Sequence, residues 1–131
     1  MKTIANASVR SDDENYRQAL VTGGHNLVAD EPLSAGGQGA GPAPYDYLLA
    51  SLGACTAITL QMYAQRKGWD LGDLRVELTL LKNREGETRI DRVLHVSAEL
   101  DEAQWQRLLD IAGKTPVTQT LMAGVAITTT H

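Results

Sequence analysis

Residues 45–67 read YDYLLASLGACTAITLQMYAQRK, directly after Pro44 and with no further proline. Proline suits the first turn of a helix, because the N–H it lacks has no helical partner there. The spacing predicts one long helix over 45–67, stopped by Gly68. No charged residue falls between Tyr47 and Ala64, and small or apolar side chains such as Leu48, Leu52, Cys55, Ile58 and Met62 occupy every face. A helix that is apolar all round must be surrounded. A bilayer could do this, since about 20 apolar residues cross one. Ser51, Thr56, Thr59 and Gln61 lower the hydropathy, however, and aromatic and basic anchors do not bracket both ends, so no membrane partner is expected.

Beyond Gly68, Arg75 to Leu80 alternates polar and apolar residues with the period of two that marks a half-buried strand. A charged turn over 82–89 leads to a second strand in which Leu94, Val96, Ala98 and Leu100 share a face, so the pair suggests an antiparallel hairpin. Asp101 and Gln104 fit an N-cap and capping box, and Trp105, Leu108, Leu109 and Ala112 follow at helical spacing, which makes Trp105 and Leu108 core residues. After Thr115-Pro116, a short helix over 117–123 and a closing β-branched strand over 125–130 complete the chain. Before the long helix, 2–9 and 16–22 read as strands about the polar turn 10–15, with a third strand over 25–29 and a glycine-rich loop over 34–44. This order predicts an α+β fold with a mainly antiparallel sheet. The chain, 131 residues long, reads as a single domain over 1–131. One sheet layer cannot enclose a helix that is apolar on all sides, so a second subunit is expected on its other side, giving a homodimer.

Hydrophobic residues make up 43% and charged residues 21%, which is the composition of a globular protein. The net charge of -4 is spread along the chain, and no Lys/Arg cluster is present to hold phosphate backbones, so nucleic acid is not an expected partner. The N-terminal residues carry no secretory or import pattern, which makes the cytoplasm the expected location. A single cysteine, Cys55, excludes an intramolecular disulfide and a cysteine-built metal site. The histidines lack ligand spacing and no phosphate-cradling glycine signature opens a helix, so neither metal nor cofactor is expected.

Residues 41–56, GPAPYDYLLASLGACT, resemble the central-helix signature of the OsmC/Ohr family, and Met62-Tyr63-Ala64, Arg66-Lys67-Gly68-Trp69 and Lys114-Thr115-Pro116-Val117 follow in the family's order. The resemblance implies an OsmC-like fold in which sheets of an intertwined homodimer wrap the central helices. It also implies a thiol site at the subunit interface. Family members that destroy organic hydroperoxides use two cysteines, one attacking the peroxide and one resolving the product, and Cys55 matches the first. Thr115 stands where the second belongs, in Lys114-Thr115-Pro116-Val117-Thr118 against the family's Lys-Cys-Pro-Val-His. A hydroxyl cannot resolve a sulfenic acid into a disulfide, so the two-cysteine cycle is excluded. The family acid after the helix-start proline is replaced by Tyr45, with Asp46 one position later as the candidate partner of the catalytic arginine. For that arginine the candidates are Arg10, then Arg17.

A thiol reacts as its thiolate, which a nearby cation favours. Cys55 lies about ten residues from the helix start, whereas the macrodipole fades within the first turn, so the cation must reach it from a strand or a partner chain. Three readings follow: a one-cysteine peroxidase using an external thiol reductant, a redox sensor, or an inert family member binding a hydrophobic molecule at the dimer interface. His25 beside Gly24, and Asp46 in the first helical turn, each have a structural explanation as well as a functional one. His95, on the outward phase of its strand, and the terminal His131 receive no role.

Overall fold

The computed structural model describes residues Met1–His131, which form two compact units, Met1–Leu48 and Leu49–His131. In the first, β1 (Ala7–Ser11), β2 (Gln18–Thr22) and β3 (His25–Ala29) pair antiparallel in that order. Gly23 and Gly24, with φ of 57° and 79°, make the two-residue turn between β2 and β3. Strand β1 starts at Ala7, later than the pattern predicts, because Ala7 already faces Thr22 at the end of β2 and earlier residues have no strand opposite. Arg10 and Ser11, expected in the turn, lie in β1 opposite Ala19 and Gln18 for the same reason.

The loop after β3 is organised by Asp30, a buried carboxylate that accepts the amides of Glu31 at 2.8 Å, Gln38 at 3.2 Å and Ala40 at 3.1 Å. The Ala40 amide foremost, then those of Glu31 and Gln38 and the charge of Arg17, hold this carboxyl below its ordinary range, against the opposing effect of burial. The loop delivers the chain to α1 (Pro44–Lys67), whose boundaries agree with the sequence reading.

In the second unit, β4 (Leu74–Lys82) and β5 (Thr88–Val96) form an antiparallel hairpin, followed by α2 (Glu102–Ala112) and α3 (Pro116–Ala123). Strand β5 lies earlier than expected. Thr88 pairs with Lys82 and Val96 with Leu74, so the tight turn takes only the residues between Lys82 and Thr88, and Ala98 and Leu100 fall beyond the strand. The capping box of α2 is present, with Asp101 accepting the Gln104 amide and Gln104 accepting the Asp101 amide. Residues 125–130 form no strand. Gly124 turns the chain out of α3 at φ 76° and ψ 168°, and Val125 and Ile127 stand 65% and 84% exposed. A β-branched composition supplies no ladder without a neighbouring edge.

The core of this unit gathers Leu60, Ala64, Leu71 and Leu108, ringed by Tyr63, Trp69, Leu74, Leu94, Val96, Leu100 and Ile111. Helix α1 approaches β4 closely at Gly53, where a Cβ would stand 2.8 Å from Leu78 Cδ1. Its buried residues, Leu52, Thr56, Leu60 and Ala64, recur every fourth position and form a single stripe. By length and composition α1 could cross a membrane, yet this stripe packs in the core of its own chain. Ile58 and Met62 are 51% and 57% exposed, so one chain covers only part of a helix that is apolar all round.

Truncating Leu108 to Ala should cost about 3 kcal/mol of unfolding free energy in urea titration, because the side chain is fully enclosed and its neighbours cannot all collapse into the void. A second expectation concerns pH. A carboxyl whose pKa is depressed by folding contributes stability above its unfolded value of 3.8 and loses that contribution as pH falls through the folded value. Asp30→Asn should therefore lower the urea midpoint at neutral pH, and the gap to wild type should narrow progressively below pH 3.8.

Candidate functional site

Strand β5 alternates its side chains between two faces, and Ile90, Arg92, Leu94 and Val96 fall on the less exposed one. Arg92 is thus a charged residue on an apolar phase, directly opposite Leu78. Its guanidinium finds polar partners on three helices. Nη1 donates to Thr56 Oγ1 at 3.0 Å on α1 and to Thr118 Oγ1 at 2.9 Å on α3, while Nη2 donates to the Ala112 carbonyl at 2.9 Å at the end of α2. Burial holds the Arg92 pKa below its ordinary value, only partly opposed by the nearby Cys55 side chain.

Cys55 is a free, half-buried thiol preceding Thr56 on α1. Its carbonyl accepts the Thr59 hydroxyl at 2.7 Å. The helix therefore presents to Arg92 a hydroxyl anchor at Thr56, the residue that directly follows Cys55.

Thr115 and Thr118 are both buried. Thr115 caps α3 by accepting the Thr118 amide at 3.3 Å, and the two hydroxyl oxygens lie 2.6 Å apart. The position read as that of a resolving cysteine is thus a helix cap joined to the anchor of Arg92.

The remaining predicted residues fall elsewhere. Asp46 accepts the Ala43 amide at 2.9 Å and so closes the start of α1. Arg10 is exposed on β1, and Arg17 pairs with Asp12 at 2.9 Å and Glu14 at 3.9 Å. Tyr45 and His25 are exposed. The Leu108 side chain is fully buried in the core, as its spacing predicted, whereas Trp105 is half-buried and does not pack against that cluster. No group of three or more His, Cys, Asp or Glu side chains could hold a metal ion.

Sequence reasoning did not single out Arg92. The signal was present, since stepping back by two from Val96 and Leu94 places Arg92 on the inward face, where an unpaired charge is costly and points to partners. Which partners those are depends on three helices remote in sequence.

Residues 37–130 match the family described as OsmC-like protein. No curated protein matches the chain. Among solved structures, a Psychrobacter arcticus 273-4 protein assigned to osmotic stress induction and the detoxification response is similar over 92% of this chain and 90% of its own, at 18% identity and a TM-score of 0.78. An organic hydroperoxide resistance protein OsmC of Legionella pneumophila is similar over 91% and 89%, at 18% identity and a TM-score of 0.66. The organic hydroperoxide resistance protein OhrB of Bacillus subtilis is similar over 94% and 93%, at 19% identity and a TM-score of 0.63. These likenesses establish the α+β architecture with its antiparallel strands. With the match extending from Gly37 through the long helix, the β4–β5 hairpin and both C-terminal helices, the chain belongs to the OsmC-like protein family.

Proposed function

We propose that this protein is a thiol-dependent reductase of small organic hydroperoxides that works with one sulfur, Cys55, and an external thiol. The observation that carries the reading is Arg92, a half-buried cation bonded to Thr56, the residue next to Cys55 on α1. It takes the role that the sequence suggested for Arg10. Two relatives with the same fold are named for organic hydroperoxide resistance, which indicates the substrate class.

In the proposed reaction the Cys55 thiolate attacks the outer oxygen of the hydroperoxide. The S–O bond forms as the O–O bond breaks, the sulfur is oxidised to a sulfenic acid, and the alkoxide leaves as the alcohol after taking a proton from water. Arg92 stabilises the thiolate before attack. With Thr115 serving as a cap, regeneration falls to an external thiol, which condenses with the sulfenic acid to give a mixed disulfide and water. A second thiol then displaces Cys55 as the thiolate and carries off the oxidised reductant as its disulfide.

The functional unit in this reading is a homodimer. The partially covered α1, with Ile58 and Met62 exposed, is the kind of apolar helix face that a second copy buries. The same exposed side chains favour a second reading, in which an apolar molecule binds there without turnover.

After one equivalent of an organic hydroperoxide, intact mass spectrometry should show one added oxygen on the wild type and none on Cys55→Ser; an unmodified wild type would support the binding reading instead. With excess hydroperoxide, added dithiol should sustain turnover, whereas a pure sensor would stop after one oxidation. Arg92→Gln should slow Cys55 alkylation at neutral pH by roughly three- to tenfold, the scale of a charge pair worth about 1 kcal/mol. Ile58→Glu should halve the solution mass measured by light scattering if α1 forms the dimer contact.

A further inference from the structure

We infer that Thr118 is a positioning residue for Arg92, its hydroxyl oxygen being the acceptor that keeps the guanidinium turned inward beside α1. The inference rests on the proposed role of Arg92 at Cys55.

The hydroxyl protons in this cluster can each be placed once. Thr56 donates its proton to the Leu52 carbonyl at 2.7 Å, which leaves its lone pairs for Arg92 Nη1 at 3.0 Å. Thr118 donates to the Ala112 carbonyl at 3.2 Å, and that carbonyl also receives Arg92 Nη2 at 2.9 Å. The short Thr115–Thr118 contact of 2.6 Å then takes its proton from Thr115. Thr118 Oγ1 accepts from Thr115 and from Arg92 Nη1, the latter at 2.9 Å, so both of its lone pairs are used. Thr115 in turn accepts the Thr118 amide. No hydroxyl proton is shared and no hydroxyl oxygen lacks a partner.

This arrangement makes Thr118 and the Ala112 carbonyl a two-point seat for the guanidinium, one point for each terminal nitrogen. Immobilising an arginine costs about 2 kcal/mol of side-chain entropy, so with Thr118 gone the two remaining anchors, Thr56 and the Ala112 carbonyl, compete less well with water. Valine at 118 would leave Nη1 with Thr56 alone and would strip the Thr115 proton of its acceptor inside the fold. The guanidinium would then gain by swinging toward solvent, away from Cys55. Serine keeps the oxygen and removes only a methyl group.

The test compares the Cys55 alkylation rate, across pH and at neutral pH, in wild type, Thr118→Val, Thr118→Ser and Arg92→Gln. The expected result is that Thr118→Val slows alkylation nearly as much as Arg92→Gln, while Thr118→Ser restores the wild-type profile. Slowing by Arg92→Gln alone, with Thr118→Val at the wild-type rate, would overturn the positioning role and leave the reading of Arg92 intact. No slowing in Arg92→Gln would overturn both. Should Thr118→Val lose its folded circular dichroism, the arginine side-chain nitrogen signals of the wild type decide. Separate Nη1 and Nη2 resonances for Arg92 support a seated guanidinium, and a single averaged resonance overturns it.

Discussion

A guanidinium drawn partly out of water demands a hydrogen-bond acceptor for each nitrogen it presents, and in the unit that holds Cys55 this demand links the secondary-structure elements. Arg92 projects from β5 and is met by hydroxyls of α1 and α3 and by the carbonyl that ends α2. Burying such a charge without partners costs several kcal/mol, far more than one hydrogen bond returns. The three helices are therefore held in the arrangement that satisfies one side chain. Apolar packing of Leu60, Leu71 and Leu108 supplies the bulk of the core beside it, but that packing is non-directional and would tolerate a shifted α3. The hydrogen bonds of Arg92 would not.

The same constraint engages the two threonines that the sequence resemblance sets against a cysteine and a histidine of the family pattern. Thr115 caps α3 and Thr118 receives Arg92, and both are buried with every hydroxyl engaged. A hydroxyl is small, uncharged and able to donate and accept at once, which suits it to a closed polar cluster next to a cation. In the proposed chemistry this trades an internal resolving sulfur for a fixed positive charge. Cys55 then depends on reductants that arrive from outside, and the reaction couples to whatever small thiols surround the protein.

Helix α1 carries a second, opposite kind of constraint. Its buried stripe of Leu52, Thr56, Leu60 and Ala64 is polar at one position only, and that position is the one that meets Arg92. The exposed Ile58 and Met62 leave apolar surface that water covers at a cost of about 25 cal/mol per Å². The proposed homodimer removes that cost.

Local sequence alone determined the elements whose signals are local. Pro44 and the uncharged run after it set α1 to within a residue, and the Asp101–Gln104 box started α2 as read. The resemblance in residues 41–56 located Cys55 and the family, because a motif needs no knowledge of what folds against it. Tertiary structure decided what depends on partners remote along the chain. The extents of β1 and β5 followed the lengths of the strands opposite them, and residues 125–130, with no edge to join, stayed unpaired despite their β-branched side chains. Arg92 illustrates the limit best, since alternation along β5 could place its charge on the inner face, but Thr56, Ala112 and Thr118 reach it only after α1, α2 and α3 have packed. A hydrogen bond is specified by the positions of both atoms, and the sequence near Arg92 carries only one of them.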